Sequence, residues 1–391
     1  MIRVLTAFTN EVDDSEIAVS EILGRLVLSE NLLANSVGII HAHADFIDTG
    51  VLREVANALP FPTIGTTVIV SASPGTQEEM ELLNVTVLTS NDVEFGTGLG
   101  DEFLSEDAKA IAAGWGPATA NLKNSPALAI AFAPLALNAS GDFIVKSIDD
   151  VSGAVPLFGA MAVDHNIDYH ANAVLFNGEA HQNRLALLTI AGDIQPKYYC
   201  GGISRRKLFR ETGTVTRSEA NRLFEVNGAP VTEFLKALGL PVDGDGNVIP
   251  SSVNAYPFIL DYGDGGEPVV RVIFGLTEDG AAICGGDIPV GSTLTIGFID
   301  DNEVLATTKI LLDAVEANGE CDVLLANSCV GRFTVLGYEP FREVNLIRPI
   351  AEKVASGYEF SYVGGEICPV YLENGQTVNR FHNDTIVVCT F

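Results

Sequence analysis

Positive charge is scarce in this chain. Its 391 residues carry 22 Lys and Arg against 51 Asp and Glu, a formal net charge of -29 at pH 7. Such a field repels phosphate backbones, whose binding needs clustered Lys and Arg, so nucleic acid and anionic membrane surfaces are not expected as partners. Cysteine is also sparse. The six residues at 200, 284, 321, 329, 368 and 389 include no Cys-x-x-Cys pair, which argues for free thiols in a cytoplasmic protein and against a disulfide framework. Long apolar runs are missing too. The stretch 127–137 falls far short of the roughly 20 residues a spanning helix needs, so no membrane insertion is expected. Asn10, Glu11, Asp13 and Asp14 interrupt the N-terminus before a signal-peptide core can form, which again points to the cytoplasm.

What is present describes a folded protein. Hydrophobic residues make up 47% and charged residues 19%, and the length suits two domains of about 150–200 residues each. Apolar positions at helical spacing after Asp13 and Asp14 predict a helix over 15–29, followed by a strand at 37–42, a helix at 49–59 and a strand at 64–70. Strands are further expected at 83–88, 127–135, 184–191, 294–299, 322–326 and 384–391, and helices at 105–113, 304–317 and near 347–355. This is an α/β pattern with mixed sheets. Asn177-Gly178 and Asn374-Gly375 are hairpin signals half a chain apart, and other landmarks echo at the same spacing. The expectation is two sequential αβ domains, 1–196 and 197–391, related by internal duplication, with a surface loop at 241–254.

Near the C-terminus stand Gly364-Gly365-Glu366 and Phe381-His382-Asn383-Asp384-Thr385, with Ser328-Cys329-Val330-Gly331-Arg332 upstream. Three such elements in this order resemble the C-terminal signature of the FIST family. The likeness extends to Ile64-Gly65-Thr66-Thr67, where Thr66 replaces a cysteine, to the segment 155–164, and to 214–239. It implies an intracellular sensory protein that binds a small molecule such as an amino acid, holds no cofactor and performs no catalysis. Signalling would then pass through a separate partner protein.

The residues themselves allow that chemistry. Cys329 and Arg332 follow a predicted strand at the end where αβ sheets place ligand loops. Arg332 offers a fork for a carboxylate, Glu366 a charge for an ammonium, and His382 with Asn383 directional hydrogen bonds. Such a set matches an amino-acid zwitterion in a groove between the domains. The competing reading makes Arg332–Glu366 a buried ion pair and gives His382 and Asn383 the task of fixing the hairpin. Cys329 with His382 also has the parts of a thiol hydrolase or transferase, and a third reading is a protein-interaction scaffold.

His41-Ala42-His43 imitates a metal-binding pair, but the further ligands and barrel repeat are missing, so both histidines are kept with Thr66 as ligand residues and not as a metal site. His165 and His170 fall in a polar loop. Gly96-Thr-Gly98-Leu-Gly100 lacks a phosphate-loop ending and reads as a flexible loop. Asp243-Gly-Asp245-Gly-Asn247 lacks the glycine and glutamate of a calcium loop and reads as a tight turn.

Overall fold

Asp14 caps the first long helix, accepting hydrogen bonds from the amides of Glu16 and Ile17, and from that helix the chain builds a unit that it repeats. The computed structural model describes every residue except 77–78, 136–138, 165–169, 245 and 250–254. His165, Asp245 and the end of the expected 241–254 loop therefore lie outside the described residues.

The first unit contains β1 (Arg3–Thr9), α1 (Ser15–Leu26), α2 (Leu28–Asn31), β2 (Asn35–Ala42), α3 (Asp45–Asp48), α4 (Val51–Asn57), β3 (Thr63–Thr67), β4 (Ser71–Ala72) and β5 (Leu83–Ser90). The second runs β6 (Glu94–Leu99), α5 (Ala108–Ala112), α6 (Trp115–Thr119), β7 (Pro126–Ala133), α7 (Gly141–Ser152), β8 (Leu157–Met161), β9 (Val174–Phe176), β10 (Glu179–His181) and β11 (Ala186–Ala191). The third opens with β12 (Lys197–Gly201). An insertion follows: β13 (Gly213–Glu219), β14 (Arg222–Val226), β15 (Ala229–Pro230), α8 (Val231–Ala237), β16 (Phe258–Asp261), β17 (Val269–Arg271), β18 (Ile273–Leu276), β19 (Ala282–Cys284) and β20 (Thr293–Ile296). The third unit then resumes with α9 (Asp301–Ala317), β21 (Cys321–Cys329), α10 (Val330–Val335), α11 (Phe341–Val354), β22 (Ala355–Val363), β23 (Gly365–Tyr371), β24 (Thr377–His382) and β25 (Ile386–Thr390).

Each unit forms a mixed sheet around one parallel pair, β2 with β3, β7 with β8, and β21 with β22. The far edge is always lent by the next unit. The sheet orders are β1-β5-β2-β3-β9-β10, β6-β11-β7-β8-β23-β24 and β12-β25-β21-β22-β4. Hence β9–β10 of the second unit complete the first sheet, β23–β24 of the third complete the second, and β4 of the first completes the third. The α/β architecture with mixed sheets is as expected. The internal echo differs: the path recurs three times, and strands cross position 196 in both directions.

The inner faces of the three sheets meet in one core. Val37, Leu128 and Val323 come from the three central strands, and Ile39, Ile130 and Leu325 from two residues further along. The alternation of apolar positions along each strand is what directs them there. The inserted antiparallel sheet has a separate core around Leu223, Phe258 and Leu294.

The run 94–99 is strand β6 and not a flexible loop. A Cβ at Gly96 would lie 1.9 Å from the Ala118 carbonyl oxygen, and one at Gly98 2.0 Å from that of Gly114. These glycines let α6 lie directly on the strand, a tertiary cause that local sequence does not display.

Candidate functional site

The edge strand β12 pairs on one side only, with β25, so its other side faces the insertion across open space. A groove of about 520 Å3 lies there. The inserted sheet supplies Ile259 and Val270, helix α9 supplies Thr307 and Ile310, and Cys200 and His382 stand within the lining. Arg205 and Glu267 bring the charges to it. Among the described residues neither takes part in an ion pair. A second depression of about 680 Å3 includes Asp48, His170 and Arg184, but none of the expected site residues lines it.

Two consecutive residues at the end of β24 point to different neighbours. The His382 Nε2 atom is 3.1 Å from the Cys368 carbonyl oxygen and 3.9 Å from Cys200 Sγ. Asn383 packs against the insertion instead: a Cβ at Gly285 would lie 2.4 Å from its Oδ1. The Cys200 residue is exposed and lines the groove, while its sulfur leans inward on His382. A hydrogen bond from the Cys368 thiol, aided by positive charge on His382, draws the Cys200 thiol down to about 5 against the effect of burial. Cys368 is fully buried, and burial pushes its thiol well up.

Arg332 and Glu366 do not pair. Arg332 is fully buried and donates to Glu343 Oε1 at 2.8 Å, with further bonds to the Val304 carbonyl at 2.9 Å and Thr308 Oγ1 at 2.6 Å. Its other terminal nitrogen reaches the Gly201 carbonyl at 3.4 Å and Thr307 Oγ1 at 3.3 Å, and Nε donates to Glu343 Oε1 at 3.3 Å. Arg332 therefore lies beneath the groove and ties its floor together. Its fork is spent on protein partners.

Glu366 is also fully buried, and burial followed by the charge of Asp384 pushes its carboxyl well above the usual range. The Cys329 thiol and the Thr385 amide face it, yet neither carboxyl oxygen reaches full hydrogen-bonding geometry. An enclosed carboxyl biased toward its protonated form is a poor partner for an ammonium group, which argues against the zwitterion reading at Arg332 and Glu366. Cys329 is pushed well up by burial and then by Glu366 and Asp384. The thiol that meets His382 is Cys200, and Cys329 lacks the character of a nucleophile.

His41 faces the central core. Its Nδ1 is 2.8 Å from Glu359 Oε1 and 3.2 Å from Ser361 Oγ, and its ring stands edge-on to Phe132. His43 lies just beyond the strand, with Nδ1 3.3 Å from Asp45. The two histidines thus do not converge, and no cluster of metal-ligating side chains occurs among the described residues. Thr66 is fully buried in β3, its hydroxyl 3.4 Å from the Ala173 carbonyl. Of the eight expected residues only His382 lines the groove. Sequence reasoning missed Cys200, Arg205 and Glu267. The Cys200-Gly-Gly run at a predicted domain boundary was the one signal that could have flagged the first.

No curated protein matches the sequence. Among solved structures, cyanuric acid hydrolase from A. caulinodans aligns over 100% of this chain and 99% of its own, at 10% identity and a TM-score of 0.35. T. maritima PurL complexed with FGAR aligns over 99% of this chain and 72% of its own, at 10% identity and a TM-score of 0.22. Likenesses this low carry no argument about the site. Among the described residues no helix is long and apolar enough to cross a membrane. The model of the FIST N domain matches residues 36–229 and that of the FIST C domain residues 231–369. The chain belongs to the FIST family.

Proposed function

We propose that this protein is a sensor whose small-molecule ligand fills the groove between the inserted sheet and the αβ body, and that a separate partner protein reads its occupancy. FIST domains are sensory domains that bind small ligands. The observation that carries the assignment to this groove is its composition: apolar walls from two structural units, with a few polar groups converging on them. Among those groups, Arg205 and Glu267 take over the parts first given to Arg332 and Glu366. Arg205 suits a carboxylate and Glu267 an ammonium, so an amino acid is the ligand class proposed.

A thermal-stability screen against amino acids tests this. A ligand at about 100 times its Kd adds roughly 2.7 kcal/mol to the native state. Arg205→Ala and Glu267→Ala are surface changes and should leave the unliganded protein within about 0.5 kcal/mol of the parent. Each should abolish the ligand-induced shift. A shift that survives both substitutions would place the ligand elsewhere.

A further inference from the structure

We propose that Cys200 and Cys368 form a peroxide-responsive dithiol, in which Cys200 is the nucleophile, Cys368 the resolving thiol, and His382 the group that holds the Cys200 thiolate. The reading is independent of what ligand fills the groove. It rests first on placement. Cys200 is the exposed cysteine, Cys321 is half-buried, and the remaining four are buried. Peroxide susceptibility follows thiolate character and access, and sensor thiols stand beside a second thiol that resolves them. Cys200 meets these conditions: the residue is exposed and lines the groove, His382 Nε2 is 3.9 Å from its sulfur, and that sulfur is also 3.9 Å from the carbonyl oxygen of Pro369, the neighbour of Cys368 on β23. The His382 ring is fixed by the Cys368 carbonyl at 3.1 Å.

The chemistry closes with a hydroperoxide as the only added reactant. The Cys200 thiolate attacks the peroxide, forming an S–O bond and breaking the O–O bond, and solvent protonates the departing hydroxide or alkoxide. Cys368 sulfur then attacks the sulfenic acid. The S–S bond forms, the S–O bond breaks, and hydroxide leaves as water with the Cys368 proton. Two thiols give up two electrons, which reduce one peroxide. The product ties β12, at the edge of the third sheet, to β23 of the second, across the back of the groove.

The test uses the reduced full-length protein and one equivalent of hydrogen peroxide, followed by alkylation and non-reducing peptide mapping. The expected product links the peptides of Cys200 and Cys368 and leaves Cys321 alkylated. In Cys368→Ala, dimedone should trap Cys200 as a sulfenic acid that the parent protein does not accumulate. His382→Gln should slow the alkylation of Cys200 at pH 7, a change that a purely structural histidine would not cause. Oxidation of Cys321 ahead of Cys200, or no Cys200–Cys368 link in the parent protein, would overturn the proposal. The parent protein's map decides the matter should either variant fail to fold.

Discussion

Arg332 is the clearest case of a residue whose chemistry is set by its burial. With both it and Glu343 at 0% exposure, removing either strands a charge away from water. Arg332→Ala should cost about 3–5 kcal/mol, measured by urea unfolding. A loss under about 1.5 kcal/mol, the magnitude that a ligand-facing role implies, would contradict the network described here. Glu366 and Asp384 make a different prediction. Burial pushes Asp384 up to about 6 from 3.8, and Glu366 lies well above its ordinary 4.5. The native state then keeps protons that the unfolded chain has released. The stabilisation is full below the unfolded values and is lost as pH rises through the folded ones. Asp384→Asn should therefore flatten the decline in stability between about pH 4 and pH 6, and Glu366→Gln the part that continues above it. Denaturant midpoints that fall equally with pH in parent and variants would refute this.

At the scale of elements, local patterns were legible and long-range pairing was not. The strand Asn35–Ala42, the helix Asp301–Ala317 and the hairpin at Asn177-Gly178 are near where periodicity and turn chemistry put them. The gift of one strand or hairpin from each unit to another sheet has no local signature. Nor does the pairing of Arg332 with Glu343, because both ends of a buried bridge look like ordinary surface charges in sequence. His382 could be read as functional from its motif. Its true partner could not, since Cys200 is 182 residues away. The exchange leads to a test: residues 1–196 expressed alone lack β23 and β24, so β8 becomes an open edge. That fragment should show no cooperative thermal transition by circular dichroism. A stable, cooperatively melting fragment would restore position 196 as a true domain boundary.

For the whole molecule, the insertion and the αβ body are joined by a charge pair whose arginine is buried and whose aspartate is half-buried. Arg271 on β17 meets Asp142 of α7 at 2.8 Å and the Phe381 carbonyl at 2.9 Å. This clamp holds one wall of the groove against the other, so the groove is preformed and its ligand meets little ordering cost. The net charge of -29 adds a long-range field that favours cationic groups and weakens with salt. The central claim is that the groove, and not the buried Arg332 and Glu366 of the sequence motif, receives the ligand. Hydrogen exchange on the parent protein, with and without an amino acid that raises its melting temperature, tests this most directly. The account predicts that protection rises on β12, β17 and the exposed face of α9. Protection confined to β2, β3 and the neighbourhood of His41, with β12 and β17 unchanged, would contradict it.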